Sequence, residues 1–469
     1  MRPSLRSQLW VFPNPLRQTL APSRRCARVR HSSTSTTYST PLAKHLADAI
    51  KANGPISLAV YMRQCLTNPE GGYYTTTRTE GRDPFGRRGD FITSPEISQM
   101  FGEMIGIWIV AEWMAQGKKK DGVQIVELGP GRGTLMDDVL RTLNLFKPLR
   151  DAVSEIYLIE ASASLRETQR KLLCGEATSF ESIGKGERCM SKYAIPIVWY
   201  EDLSFVPTKT TATPPTLTTP FILAHEFFDA LPIHAFTSTT GGWRELLVHH
   251  LPPRTTHVTL HTPRSQSLEP VPEFALTTAK SQTPHSAILP ELSPRYKALK
   301  KHVNSTIEIS PESLTIMESI STRIGDSKSG AALVIDYGTE STIPVNSLRG
   351  IRAHRTVSPF INPGEVDLSA DVDFMALAER ALDASPDVEV HGPIEQGTFL
   401  GMMGMKERME ALTGAMKGDD ETKRLLESGY KRLVDRGVSG MGRIYKAMAV
   451  VPESGGRRPV GFGGGVVDA

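Results

Sequence analysis

The sequence has 469 residues, 39% of them hydrophobic and 22% charged, with a formal net charge of +3. That composition suits a globular body of two or three domains, and no apolar run approaches the ~20 residues needed to cross a bilayer. Eight of the 54 basic residues and none of the 51 acidic ones fall before Asp48, so the rest of the chain is net negative by five, which argues against a basic nucleic-acid-binding body.

The start of the chain differs from everything after it. Its first 47 residues hold Arg2, Arg6, Arg17, Arg24, Arg25, Arg28 and Arg30, many serines and threonines, and no carboxylate. An arginine-rich, serine-rich, acid-free start is the composition of a mitochondrial transit peptide, with its boundary set here near residue 40. A secretory signal would need a longer apolar stretch than residues 9–12 supply; a basic tail that binds nucleic acid or a membrane is the alternative. Residues 41–120 read as an N-terminal helical segment that packs on the catalytic domain. Leu42, Leu46 and Ile50 open it, and residues 56–66 continue it. A loop rich in glycine and charge follows over 71–90, with Tyr73, Tyr74, Arg78, Arg82, Arg87 and Arg88. Thr93-Ser94-Pro95-Glu96 then opens a helix, either with Ser94 as N-cap or with Thr93 and Glu96 closing a capping box. Ile97, Met100, Phe101, Met104, Ile105, Trp108 and Trp113 recur on one face of that helix.

From residue 121 to 450, short apolar runs alternate with helical patterns. The runs lie at 123–128, 156–159, 196–200, 221–224 and 331–335. Such alternation predicts a parallel sheet with helices on both faces. Two stretches interrupt it, a Thr/Pro-rich insertion at 207–220 and one at 252–294 expected to be irregular with few strands. Residues 451–469, with their glycine cluster, are expected to be a disordered tail. Cys26, Cys65, Cys174 and Cys189 are scattered and form no Cys-x-x-Cys pair, which fits a reducing compartment and no structural zinc.

The most informative segment is Val123-Gln-Ile-Val-Glu127-Leu-Gly129-Pro-Gly131-Arg-Gly133-Thr-Leu-Met. A strand runs into three glycines and then into a helix whose N-terminus offers N–H groups. A dinucleotide fold wants Gly-x-Gly-x-x-Gly to seat a pyrophosphate. Here the spacing is Gly-x-Gly-x-Gly behind Glu127, which suits S-adenosylmethionine, a ligand with a cationic sulfonium, an amino-acid end and no phosphate. Glu160, ending the second run, stands where it would accept hydrogen bonds from ribose hydroxyls, and Asp202 follows the third run, where it would meet the adenine amino group. For Glu160 and Asp202 individually, a solvated strand end is the competing reading.

Several longer segments carry a family resemblance. Gly89-Asp-Phe-Ile-Thr-Ser-Pro-Glu-Ile-Ser-Gln-Met-Phe-Gly-Glu103 is followed in order by the glycine segment, His225-Glu-Phe-Phe-Asp-Ala-Leu-Pro232, Val334-Ile-Asp-Tyr-Gly338, Ser347-Leu-Arg-Gly-Ile-Arg-Ala-His354, Gly364-Glu-Val-Asp-Leu368, and Thr398-Phe-Leu with Gly404. Together they span most of 61–408 and resemble the MidA-like methyltransferases. In animals and fungi these are the protein arginine methyltransferases of the complex I assembly factor 7 type. The resemblance implies an α/β, class I S-adenosylmethionine-dependent methyltransferase fold, a Rossmann-like sheet with helices on both faces. It also implies symmetric dimethylation of an arginine in a complex I subunit, in the mitochondrial matrix. The two insertions do not look like fixed family elements.

On the acceptor side, a guanidinium has to be gripped by carboxylates that orient the attacking nitrogen. Glu226 and Asp229 follow the fourth run, at the carboxyl end of the sheet where open α/β folds place ligands. They are the candidate clamp; a helix or turn cap for Asp229 and a cofactor-supporting role for Glu226 are the competing readings. His225 reads as structural, Glu96 as a helix cap, Asp90 and Glu103 as further carboxylates of the first matched segment. Met402, Met403, Met405 and Met409 read as helix core. Arg349, Arg352 and His354 read as a basic stretch on a solvated face. Two other functions stay open: a catalytically silent complex I assembly chaperone, and a methyltransferase acting on a quinone or lipid. Neither nucleic acid nor a transmembrane segment is expected, and the oligomeric state is left open.

Overall fold

The structure, a computed structural model, describes residues 38–75, 92–252, 272–416, 419–438 and 440–464. Residues 1–37, most of the expected transit peptide, lie outside the described residues, as do Asp90 and the arginines of the 71–90 loop.

A ten-stranded sheet organises the body. Its strand order is Val388–Glu395, Tyr445–Pro452, Ala331–Thr339, Thr219–His225, Val123–Leu128, Val153–Ile159, Pro196–Tyr200, Gly186–Met190 and Glu181–Ile183, with Val372–Asp373 pairing beside Ala331–Thr339. The strands from Ala331–Thr339 to Pro196–Tyr200 are parallel neighbours. Tyr445–Pro452 inserts antiparallel beside Ala331–Thr339. From Val123–Leu128 the chain first adds strands on one side, then crosses to the other. The strand order therefore reverses at this point, and the crevice at the carboxyl ends there is where an open α/β sheet holds its ligand.

Val123–Leu128 is buried along its whole length, as a central parallel strand must be. Its alternation feeds two cores. Ile125 and Leu223 join the layer formed with the Gln99–Ala115 and Thr134–Leu143 helices. Val126 and Ile222 join the opposite layer, which includes residues of the Pro311–Ser327 and Phe374–Ala384 helices. Gly102 and Gly106 let the first two helices touch: a Cβ at Gly102 would overlap Asp138, and one at Gly106 would lie 2.8 Å from the Cβ of Thr142. The Gln99–Ala115 helix thus belongs to the main core. The preceding helices, Pro41–Asn53 and Leu58–Thr67, pack instead on a second, antiparallel sheet of Ile56–Ser57, Gly242–His250, His234–Thr239, Thr306–Ile309 and Phe274–Thr278.

Two local expectations change. The helix opened by Thr93 is two helices: Ser94–Ile97, closed by the Thr93/Glu96 capping box, and Gln99–Ala115, capped by Ser98. In the described part of the 252–294 region, Phe274–Thr278 pairs along Gly242–His250 and Pro284–Ile288 is helical. Residues 451–464 are packed rather than disordered. Val451 and Pro452 complete the last strand, Arg457 grips the wholly buried Glu112 through two hydrogen bonds of 2.7 and 3.2 Å, and Phe462 packs on Phe399. A buried carboxylate needs a cation, and a guanidinium fork supplies one at two points. Met403 and Met405 are buried in the main core with Met409 against them, whereas Met402 is exposed. Cys65, Cys174 and Cys189 are buried free thiols. Among the described residues no helix is long and apolar enough to cross a membrane.

Candidate active site

The glycine segment forms the tight turn from strand to helix. Gly129, Gly131 and Gly133 have φ values of +63°, +54° and +85°, a region that costs a side-chain-bearing residue strain. A Cβ at Gly129 would also sit 2.8 Å from the Phe227 ring. The turn is held from below. Gln169, wholly buried on the Ala163–Cys174 helix, donates to the Gly131 carbonyl at 2.7 Å and to Glu160 at 3.3 Å, and accepts from the Trp199 indole at 2.8 Å.

Glu127, next to last in the Val123–Leu128 strand, is almost fully buried, and its Oε2 has no hydrogen-bond partner among the described residues. Burial, reinforced by nearby Glu160, pushes its carboxyl up to about 8. Glu160 is buried too and is raised to about 7, again by desolvation. Its Oε1 accepts from the Ser162 backbone N–H at 2.8 Å. Glu127 and Glu160 are thus brought together. Asp202 stands apart: it is exposed, accepts from Ser204 N–H at 2.7 Å as the cap of a short turn, and that bond holds its carboxyl below the usual range.

The second half of the site lies across the strand-order reversal. Glu226 follows the Thr219–His225 strand with φ +50°, and its N–H donates to the Ile335 carbonyl. Its carboxylate is buried, accepts from the Tyr445 hydroxyl at 3.0 Å, and is pushed up to about 8 by desolvation and then by Asp229. Asp229 accepts from Ser369 Oγ at 2.9 Å. Asp336, completely buried within the Ala331–Thr339 strand, holds the turn in place: its Oδ2 accepts from the backbone N–H groups of Phe227, Phe228 and Asp229, and its Oδ1 from Tyr337 N–H. Burial raises both Asp229 and Asp336, and repulsion from Asp229 and Glu226 adds to the rise of Asp336. Arg349 lies over the Tyr337 ring, 5.2 Å from its centroid, and pairs with Asp371 at 2.6 Å.

Other sequence candidates resolve into support. His225 is buried against Phe101 and burial lowers it to about 3, so it is neutral. Glu96 closes its capping box and faces Arg132 of the glycine turn at 3.5 Å. Glu103 pairs with Arg408 and Arg141. Arg349 is not on a solvated face, being packed and paired, while Arg352 pairs with Glu365 and His354 is exposed. Sequence reasoning missed Gln169, Asp336, Tyr337 and Tyr445. Asp336 carried a signal, an acidic residue ending an apolar run. Tyr445 carried none, because it reaches the site from a strand more than two hundred residues beyond Glu226.

A glycine turn at the strand-order reversal, with a buried carboxylate on each side, defines a nucleotide-type methyl-donor site. The family described as "Putative S-adenosyl-L-methionine-dependent methyltransferase" matches residues 104–394, and the chain belongs to it. Its cofactor is S-adenosyl-L-methionine. Among curated proteins, the chain is 37% identical to the rat protein arginine methyltransferase NDUFAF7, mitochondrial, over 94% of this chain and 91% of that one. It is 38% identical to the human protein of the same name, over 89% and 86%. The Drosophila melanogaster homolog is 36% identical over 88% and 85%. Among solved structures, a superfamily member from Burkholderia thailandensis bound to S-adenosyl-homocysteine superposes with a TM-score of 0.65 at 20% identity, over 91% of this chain and 94% of that one. That likeness establishes the class I methyltransferase fold.

The residues present fit the cofactor. An orphaned, buried Glu127 oxygen suits an ammonium, and a turn whose glycines exclude side chains leaves room for close backbone approach.

Proposed function

We propose that this protein is a mitochondrial protein arginine methyltransferase that symmetrically dimethylates an arginine of a complex I subunit in the matrix. The observation that carries the reading is the pair of buried carboxylates, Glu226 and Asp229, at the carboxyl end of the strands next to the glycine turn. Carboxylates held this far from water call for a cationic ligand, and a guanidinium is the cation that uses two of them as a fork. The curated relatives are named protein arginine methyltransferases, mitochondrial, which agrees with the acid-free arginine-rich leader.

In this reading Glu127, the Gly129–Gly131–Gly133 turn, Glu160 and Asp202 hold the cofactor, and Glu226 with Asp229 holds the acceptor. S-adenosylmethionine, when bound, supplies an electrophilic methyl on its sulfonium. Glu226 grips the guanidinium and takes up the proton lost from the substituted nitrogen, a task suited to a carboxyl raised to about 8. Asp229 orients the same group. Asp336 is a positioning residue, because its bonds to three consecutive N–H groups fix the turn that carries both. Holding donor and acceptor in line supplies much of the catalysis such a transfer needs.

The test is mass spectrometry of complex I subunits from cells with and without the protein, alongside transfer to the purified subunits. A symmetric dimethylarginine that disappears with the protein is the expected result. Subunits unchanged in every arginine would overturn the substrate assignment, and normal import of a chain lacking residues 1–40 would overturn the matrix assignment.

A further inference from the structure

Beside the acceptor carboxylates lies an open cleft of about 750 Å³. Its inner wall is Tyr337, whose ring centroid is 4.1 Å from that of Tyr445, the residue that donates to Glu226. The cleft therefore opens outward from the proposed acceptor site. Its charge is one-sided. Arg349 is neutralised by Asp371, and Glu395 by Arg436 at its rim. Arg355, Arg432 and Arg443 are exposed in it and form no ion pair among the described residues. Lys446 adds a fourth positive charge, buried at the base with its Nζ donating to the Arg443 carbonyl. Among the described residues Glu340 is the one lining carboxylate left to oppose them.

We propose that this cleft binds an acidic segment of the acceptor protein, flanking the arginine that is methylated. The proposal rests on the arginine reading above. A cationic cleft repels an arginine presented alone, so carboxylates beside the arginine have to supply the attraction, while the buried Glu226 and Asp229 select the guanidinium itself. The occupant is a polypeptide rather than a polyanion or a lipid surface. The chain beyond the leader is net negative, which disfavours nucleic acid, and a recessed cleft cannot lie against a flat bilayer. Arg355, Arg432 and Arg443 come from three separate places in the chain, the Arg355–Val357 strand, the Asp420–Val434 helix and the turn before the last strand, yet point into one recess.

The experiment uses the whole mature chain, short arginine peptides with acidic, neutral or basic flanks, and the Arg432→Glu/Arg443→Glu double variant, both positions being exposed and outside the proposed catalytic machinery. Binding is read by fluorescence anisotropy and methyl transfer separately. The wild type is expected to bind the acidic peptide about ten-fold more tightly than the neutral one, with the advantage shrinking as salt rises. The double variant is expected to lose that advantage, through KM rather than kcat, while modifying the neutral peptide as the wild type does. Equal binding of acidic and neutral peptides by the wild type would overturn the cleft assignment and leave the arginine reading intact. Salt-sensitive binding of acidic peptides with no methylation of any arginine would support the cleft and sink the arginine reading instead. Charge-dependent binding of phosphatidylserine vesicles in preference to the acidic peptide would overturn the proposal in favour of a membrane surface.

Discussion

The two halves of the site are built in different ways. On the proposed donor side, Glu127 and the three glycines come from one short stretch, Glu127 to Gly133, Glu160 directly follows the neighbouring Val153–Ile159 strand, and Asp202 follows the next. On the acceptor side, Glu226, Asp229, Asp336, Ser369 and Tyr445 meet from four separate segments. The donor side leaves a buried oxygen of Glu127 without a partner among the described residues, whereas on the acceptor side Asp336 is saturated by backbone N–H groups. An unsatisfied buried carboxylate is tolerable where a cationic ligand completes it; a saturated one serves to fix the chain. Cofactor binding should therefore be vulnerable at backbone positions and acceptor chemistry at side chains.

The largest effect that tests this contrast is at the glycine turn. Gly131→Val places a β-branched residue at φ +54°, a strain of up to about 3 kcal/mol before any clash with the ligand. Cofactor affinity in calorimetry should fall by more than about a hundred-fold, with the circular dichroism spectrum retained. Wild-type affinity in this variant would remove the turn from the cofactor site. Next comes Glu226→Gln, which keeps shape and removes a charge. Charge-assisted hydrogen bonds of about 1.5–3 kcal/mol convert to a ten- to two-hundred-fold slower transfer, with cofactor affinity little changed. Parallel loss of both functions would erase the distinction between the halves.

A smaller effect concerns pH. If Glu226 must be ionised to take the acceptor, kcat/KM rises with pH through about 8 in the free enzyme. The Tyr445 hydroxyl stabilises the Glu226 anion, so Tyr445→Phe should move that midpoint upward. A profile identical to wild type would show that Glu226 is not the titrating group. A last effect, on stability, leaves the chemistry aside. The folded-state carboxyl of Glu127 is raised from 4.5 to about 8. Between these values the folded chain keeps a proton that the unfolded chain has released, so the contribution is fully present below pH 4.5 and is lost as pH rises through 8. Glu127→Gln lacks this dependence. Its melting temperature, compared with that of the ligand-free wild type, should gain steadily from pH 5 to 8, by the equivalent of about 2–4 kcal/mol. A constant offset over that range would contradict the burial of an ionisable Glu127.

Much of the sheet was legible because a buried parallel strand is a continuous apolar run and its exit turn needs residues with special backbone freedom. Both are properties of a few consecutive residues, and that is why the glycine turn of residues 123–136 could be read directly, whereas the leader expected from the composition of residues 1–47 falls mostly outside the described residues. The break at Ser98 and the packed tail were not legible in the same way. Ser98 is an ordinary serine until the second helix turns on it, and Arg457 sits among glycines until the buried Glu112, more than three hundred residues earlier, comes within reach. The same reason separates the acceptor halves. Glu226 and Asp229 were visible beside their strand, but the carboxylate that clamps their turn and the tyrosine that tunes Glu226 arrive only when the strands Ala331–Thr339 and Tyr445–Pro452 pair antiparallel, Tyr337 opposite Tyr445. Local sequence determined strands, turns and caps, whose energetics are settled within a few residues. Only the tertiary structure decided which buried charges meet, because a desolvated carboxylate is defined by whatever distant chain is folded against it.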